Sequence, residues 1–172
     1  MDDRRRRFEE LVLPHLDAAS NLARWLTRNP PEADDIVQDA MLRAFRSFDT
    51  FRGDAVKPWL LTIVRNCYRS ARGVSNRFSA LPEHHAETTP DPEPDAESEM
   101  LRSAEARDLA AALQALPPEF RETLILREME EMRYRDIAAV TGVPIGTVMS
   151  RLARGRALLR QSWLEQQREA AR

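Results

Sequence analysis

Between Leu81 and Met100 the sequence reads LPEHHAETTPDPEPDAESEM, with seven acids (Glu83, Glu87, Asp91, Glu93, Asp95, Glu97 and Glu99), four prolines and neither Lys nor Arg. Such a stretch cannot bury enough apolar surface to offset the entropy of ordering its backbone, and its prolines favour extended conformations. It is expected to be an acidic, Pro-containing linker over 81–100. The 172 residues are therefore expected to divide into two small domains, 1–80 and 101–172. At about 3.1 Å per residue, an extended linker of this length reaches on the order of 60 Å, nearly two turns of B-DNA. Two modules on it would reach two separated sites on one duplex. The segment reads either as a solubilising spacer or as a chain of carboxylates that imitates a nucleic-acid backbone in a partner's basic channel.

Both modules are expected to be all-α, because only 6% of the residues are aromatic, 31% are charged and glycines are few. The apolar runs are too short to cross a bilayer. Acids flank Arg4 to Arg7, and the following FEELVLPHL is no signal core, so a cytoplasmic chain without membrane insertion is expected. Cys67 is the only cysteine and His15, His84 and His85 are the only histidines, which excludes an internal disulfide framework and a thiolate zinc cluster. No Ser/His/Asp or His/Glu spacing of catalytic type occurs. Neither a cofactor, a metal nor an enzymatic activity is expected, His84 and His85 being read as solvated rather than as ligands.

The first module shows helical patterns from about Phe8 to Thr27, Glu32 to Phe48 and Pro58 to Arg72, with the prolines at 30 and 31 as a break and Gly73 as a stop. On the second helix Val37, Ala40, Met41, Ala44, Phe45 and Phe48 form an apolar stripe. Leu42 lies off that stripe among Asp35, Gln38, Asp39 and Arg46, where an apolar side chain has no evident intramolecular partner. An apolar residue on an acid-rimmed face is a docking point for another protein. From Phe45 to Arg72 aromatic residues alternate with Arg and Lys, the combination that stacks unpaired bases while holding phosphates. Phe45, Phe48, Leu60, Ile63, Val64 and Cys67 fall on core stripes; Phe51 in the turn TFRGD, with Trp59, Asn66 and Arg69 off the Leu60/Ile63/Cys67 stripe, is free to face a ligand. In this apolar helical setting Cys67 reads as an inert core thiol.

In the second module stripes run through Leu109, Leu113 and Leu116, and after the prolines at 117 and 118 through Phe120, Leu124 and Met129. A short helix with Ile137 and Ala138 gives way at Gly142, and a longer one restarts near Pro144, which makes a helix-turn-helix. On a 100° wheel Ile145, Val148, Leu152, Gly155 and Leu159 form the longer helix's buried side. The opposite side centres on Ser150, Ala153 and Arg154, with Thr147 and Arg151 on one shoulder and Met149, Arg156 and Arg160 on the other. Small central residues let the backbone approach a groove while the arginines reach guanine edges or phosphates. The bland alternative is a solvated face with salt bridges to Glu128, Glu130 and Glu131. At the level of the residues, a free-standing helix-turn-helix regulator and a protein-binding adaptor remain as other classes.

With these residues assembled, the chain resembles the extracytoplasmic-function (ECF) group of sigma-70 RNA polymerase sigma factors. EADDIVQDAMLRAFRSFDTFRGDAVKPWLLTIVRN looks like their region 2, and LPPEFRETLILREMEEMRYRDIAAVTGVPIGTVMSRLARGRALL looks like their region 4. The resemblance implies a transcription initiation factor that binds core RNA polymerase through the β′ clamp helices and the β flap and recognises promoter DNA. Asp35, Gln38, Asp39, Leu42 and Arg43 would meet the clamp. Phe51, Arg52, Gly53 and Asp54 match the loop that captures a flipped base of the melted −10 element, with Trp59, Asn66 and Arg69 beside it. Thr147, Met149, Ser150, Arg151, Ala153, Arg154 and Arg156 match the −35 reader. The acidic linker would pass through polymerase near the RNA exit path, and an anti-sigma factor is an implied partner. Met149 stands where relatives often carry Lys or Arg, and Ser70 where many have Asp. With a formal net charge of −2, the free protein is expected to bind DNA weakly.

Overall fold

Helix boundaries in the computed structural model, which describes residues 2–73 and 96–172 with side chains over 3–73 and 103–172, follow the breakers in the sequence. Helix α1 spans Asp2–Val12 and α2 spans Leu16–Thr27, separated by a 3-10 turn at Leu13–His15. The single helix expected from Phe8 to Thr27 is thus two, because Pro14 has no N–H to donate and its ring clashes with the preceding turn. Helix α3 covers Pro30–Ser47. Its N-cap Asn29 accepts from the Glu32 backbone N–H at 3.3 Å, satisfying one of the donors that a helix start leaves unpaired. Helix α4 runs Val56–Ala71, and Gly73 follows at φ +62°.

The second module holds α5 (Ala96–Gln114), α6 (Pro118–Leu124), a π-helical turn (Ile125–Met129), α7 (Tyr134–Thr141) and α8 (Ile145–Ala170). Helix α5 begins inside the stretch expected to be linker as far as residue 100. No proline lies between Pro94 and Pro117, and Glu97 and Glu99 suit a helix N-terminus. The rest of the linker, with His84 and His85, lies outside the described residues.

In the first module Val12, Leu22, Leu60, Leu61, Val64 and Cys67 are enclosed between α2, α3 and α4. Phe8 meets the rings of Phe45 and Phe48 edge-on, with centroids 5.1 and 5.4 Å apart. In the second, Leu113, Leu124, Leu126, Ile137, Val148 and Leu152 are buried. A Cβ on Gly155 would lie 3.2 Å from Leu124 Cδ1, so the glycine lets α8 cross close over α6.

Several apolar residues depart from the expected stripes, with Met41, Phe45, Ile63 and Phe120 only half-buried at the margin of the core. Ile145 is 47% exposed, because it opens α8 ahead of the crossing with α6, and the buried face starts at Val148. Leu159 is only half-buried, lying past Gly155 where that crossing ends. Leu109 is exposed, whereas Ala112 and Leu113 at the end of α5 and Leu116 just beyond it are buried. Met129 is exposed at the end of the π turn, whose wider winding rotates it off the Phe120/Leu124 stripe.

The modules are not held apart as a simple tether would hold them. Helix α4 lies against α7, and α2 against α6 and the π turn. Arg65 of α4 forms an ion pair with Glu122 of α6. Lys57 at the head of α4 reaches the Glu130 carboxylate at 3.0 Å and its backbone oxygen at 2.9 Å, while Asn21 of α2 donates to the same carboxylate at 2.9 Å. Partners this far apart in sequence carry no local periodic signal, which is why the linker alone suggested separate bodies.

Candidate nucleic-acid and polymerase interfaces

A 3-10 turn at Phe48–Thr50 leads from α3 into the loop before α4. There the backbone leaves the helical region at Phe51 (φ −64°, ψ 123°), aiming its ring back at α4. The ring packs on Trp59 with centroids 4.8 Å apart and planes tilted by 40°. Gly53 makes room for this. A Cβ there would stand 2.9 Å from Phe51 Cε2 and 3.3 Å from Cζ, distances that side chains do not tolerate without moving. Arg52 folds over the turn, donating to the Asp49 and Phe51 carbonyls at 2.6 and 3.1 Å. Arg52, Gly53 and Asp54 are exposed, and Phe51 and Trp59 half-buried. These five residues line one cleft of about 580 Å³ whose opposite wall is Arg133, Arg135 and Asp136 at the start of α7. Asn66, exposed, and Arg69, half-buried, lie farther along α4, roughly 10 to 15 Å away at 1.5 Å per residue.

On α3, Leu42 is 53% exposed. It borders an apolar groove with Leu13, Leu16, Met41 and Phe45, rimmed by Asp34 and Asp35. Asp35 and Gln38 are exposed and Asp39 half-buried. Arg43 reaches Asp39 through two nitrogens at 3.2 and 3.0 Å, an i, i+4 surface pair worth a few tenths of a kcal/mol. Asp35, Gln38, Asp39, Leu42 and Arg43 thus share one open face. Behind it Cys67 is buried, and burial, with Asp39 second, pushes its thiol up to about 11. That leaves almost no thiolate at neutral pH, as a core thiol requires.

Gly142 sits at φ +72° and its N–H bonds the Ala138 carbonyl at 2.9 Å, closing α7 before the turn into α8. Along α8, Met149, Ser150, Ala153, Arg154, Arg156 and Arg160 are exposed, and Thr147 and Arg151 half-buried. The Ser150 hydroxyl donates back to the Thr147 carbonyl at 3.0 Å. Arg154 lies over the Phe120 ring, 5.5 Å from its centroid. Arg156 makes two bonds to Glu128 Oε1 at 3.2 and 2.7 Å. The salt bridge entertained for this face is therefore present at Arg156, between side chains about half exposed (49% and 55%). Such a pair is worth about 0–1 kcal/mol and yields readily to a phosphate. No acid stands in the first turn of α8, so the positive end of its dipole stays open to an anion.

Lys57, Arg65 and Glu122, which sequence reasoning placed in no site, join the two modules together with Glu130, which was weighed as a partner of the α8 arginines and pairs instead with Lys57. Burial raises the Glu122 carboxyl above its ordinary range, and Arg65, Arg151 and Arg69 pull it back. The direct partner of this carboxylate is Arg65 of α4, across the boundary between the modules. Beside it Arg121 is buried, pushed down to about 10 by burial and by the neighbouring Arg28, and it donates to the Gln114 carbonyl at 3.1 Å. A usable signal existed in FRETLIL, where Glu122 shares a helix face with Leu126 at i, i+4. A carboxylate on an apolar face requires a cation from elsewhere in the fold.

Among the described residues no group of three His, Cys, Asp or Glu side chains gathers to hold a metal, and no helix is long and apolar enough to cross a membrane. Residues 11–76 match the family described as Sigma-70 region 2, and residues 106–159 match Sigma-70, region 4. The chain is 36% identical to the ECF RNA polymerase sigma factor SigE of Mycolicibacterium smegmatis, over 95% of this chain and 64% of that one. It is 35% identical to the RNA polymerase sigma-H factor of Pseudomonas aeruginosa, over 88% of this chain and 83% of the relative. Among solved structures, the sigma factor RpoE in complex with the anti-sigma factor NepR from Bartonella quintana superposes with a TM-score of 0.72 at 30% identity, over 91% of this chain and 96% of that one. Two helical modules, a helix-turn-helix in the second and matches spanning both lead to one assignment: the chain belongs to the ECF group of sigma-70 RNA polymerase sigma factors, and its function is promoter-specific transcription initiation.

Proposed function

We infer that the chain binds core RNA polymerase through the α3 face and directs it to promoters with separate −10 and −35 elements. Asp35, Gln38, Asp39, Leu42 and Arg43 meet the β′ clamp helices, and the second module meets the β flap. Phe51, Arg52, Gly53 and Asp54, with Trp59, Asn66 and Arg69, hold the unpaired −10 strand. Thr147, Met149, Ser150, Arg151, Ala153, Arg154 and Arg156 read the −35 duplex. Bases flipped into the Phe51–Trp59 cleft favour the melted promoter by differential affinity for the open state. The work is binding, without a catalytic step, and its place is the cytoplasm. An anti-sigma factor is the expected regulator, as the RpoE relative is one held by NepR.

The observation that carries this reading is the α3 groove, where Leu42 is 53% exposed beside aspartates on its rim. A free-standing regulator has no use for such a face. The test is comigration of the purified chain with core RNA polymerase on a sizing column, followed by start-site mapping from a genomic promoter library. The wild-type chain is expected to comigrate and to yield start sites that share two spaced motifs. Leu42→Glu would force a charge into the apolar contact, and with Leu burial worth about 1.5–3 kcal/mol the loss is at least tenfold in affinity. Comigration of Leu42→Glu at wild-type affinity would overturn the docking face. Tight duplex binding by the chain alone, with no polymerase complex, would replace the reading with a free-standing regulator.

A further inference from the structure

Backbone carbonyls close the turn between α3 and the loop that carries Phe51. The Phe45 oxygen accepts the Phe48 N–H, and the Phe48 oxygen accepts the Phe51 N–H at 3.1 Å. The Asp49 oxygen accepts from Arg52 Nη1 at 2.6 Å. A helix end leaves carbonyl oxygens short of partners, so whatever else binds them decides how firmly the turn is set.

The further partner comes from α1. Arg4, 41 residues before Phe45, donates through Nη2 to the Phe45 oxygen at 2.7 Å. Its Nε stands 2.8 Å from Asp49 Oδ2, and its guanidinium lies over the Phe45 ring, 4.5 Å from the centroid. Asp49 is thus held at both ends, its carboxylate by Arg4 and its carbonyl by Arg52, the neighbour of Phe51. Phe8 lies one turn along α1 from Arg4, on the same face. Its ring meets Phe45 and Phe48, and Phe48 lies 6.5 Å from Trp59, the ring on which Phe51 packs.

Stability does not account for this arrangement. The Arg4 and Asp49 side chains are 36% and 66% exposed, and exposed ion pairs contribute little to folding. Position does account for it, because a ring that stacks on a base must be held to within a fraction of an ångström by its supporting contacts. A planar guanidinium meets a carbonyl, a carboxylate and a ring from one place, which an ammonium cannot. We propose that Arg4 is a positioning residue for the −10 cleft: by tying the end of α3 to Asp49, it fixes the turn from which Phe51 is aimed at Trp59. The proposal rests on reading the Phe51–Trp59 cleft as the site of base capture. Arg4 itself touches no base.

The test uses the full chain with saturating core polymerase, so that differences in core affinity drop out, and reads open-complex formation by abortive transcription. Two templates are compared. One is a promoter that the wild-type chain uses, and the other carries an abasic site at the −10 position where base loss costs the wild-type chain most. On the intact promoter Arg4→Ala and Asp49→Asn are expected to lower open-complex formation about five- to tenfold, the low end for losing a stacked base, since the ring is displaced and not removed. On the abasic promoter they should cost nothing further. Arg4→Lys, which keeps the charge beside Asp49 but not the fork, should recover part of the loss. An equal loss on both templates marks a general structural defect and would overturn the proposal, as would wild-type activity of Arg4→Ala and Asp49→Asn on the intact promoter. Phe51→Ala separates this idea from the reading beneath it. If Phe51→Ala is defective and adding Arg4→Ala makes it no worse, both stand. If the two losses add, base capture stands and the role of Arg4 falls. If Phe51→Ala is as active as the wild-type chain, base capture by Phe51 fails and takes the role of Arg4 with it.

Discussion

Gly53→Ala tests the proposed −10 cleft with a single methyl group. The Cβ would stand 2.9 Å from Phe51 Cε2 and 3.3 Å from Cζ, so the ring must retreat by on the order of 0.5–1 Å to restore ordinary van der Waals separation. Gly53 lies outside the left-handed region, so alanine strains no backbone there and the effect is confined to the ring. Retreat weakens the Phe51–Trp59 pair, now at 4.8 Å between centroids, an arrangement worth about 0.5–1.5 kcal/mol. It also misplaces a stacking surface worth about 1–3 kcal/mol per base. Gly53→Ala should therefore lower open-complex formation by about five- to hundredfold, as read by abortive transcription from a promoter that the wild-type chain uses. Comigration with core polymerase should be unchanged, because the α3 face is untouched. If the glycine acts through the ring, its effect vanishes once the ring is gone. Phe51→Ala and the Phe51→Ala/Gly53→Ala double variant should then be equally defective. Additive losses, or full activity in Gly53→Ala, would refute the reasoning.

Arg154→Ala should weaken binding of the holoenzyme to the −35 element and, if its guanidinium meets a phosphate, reduce the duplex salt slope by about 0.9; an unchanged affinity and slope would remove Arg154 from the reader. Gly142→Ala meets no atom within 4 Å but keeps φ at +72°, a conformation costing about 1–2 kcal/mol against a gain of about 0.4–1 from a stiffer unfolded chain. Urea denaturation should thus show a loss of about 1 kcal/mol, smaller in Gly142→Asn, and equal losses would refute the left-handed requirement. Burial raises Glu122 above its ordinary 4.5 in the presence of Arg65, Arg69 and Arg151, so folding takes up a proton there. Its contribution to stability is full below pH 4.5 and fades as pH rises through the raised value. The wild-type chain should accordingly gain on Glu122→Gln as pH is lowered toward 4.5, and a pH-independent difference in urea midpoints would refute the desolvation.

Legibility tracked the range of the interaction. Leu42 was readable because exposure off an apolar stripe is a local property of α3, and Gly142 because a helix stop is written in two or three residues. The α8 face was readable by its period, although Ile145 shows that a wheel gives direction and not the place where packing begins. Phe51 was singled out by its turn, but its dependence on Gly53 was not, since a Cβ contact of 2.9 Å is a fact of the folded loop. The pairs Arg65–Glu122 and Lys57–Glu130 were invisible for the opposite reason. Each joins residues separated by more than fifty positions and by the acidic segment, where neither periodicity nor capping has reach.

The same pairs show where part of the positive charge of a chain of net charge −2 goes, since two α4 cations are matched by carboxylates of the second module. Dilution of positive charge by distant acids would lower the field around every cation alike. Carboxylates seated on chosen cations act differently. They neutralise Arg65 and Lys57 individually where the two modules meet. A buried pair adds little net stability, because desolvation offsets most of its attraction. Pairs of this kind therefore fix which surfaces of the two modules meet while adding little net energy to hold them together.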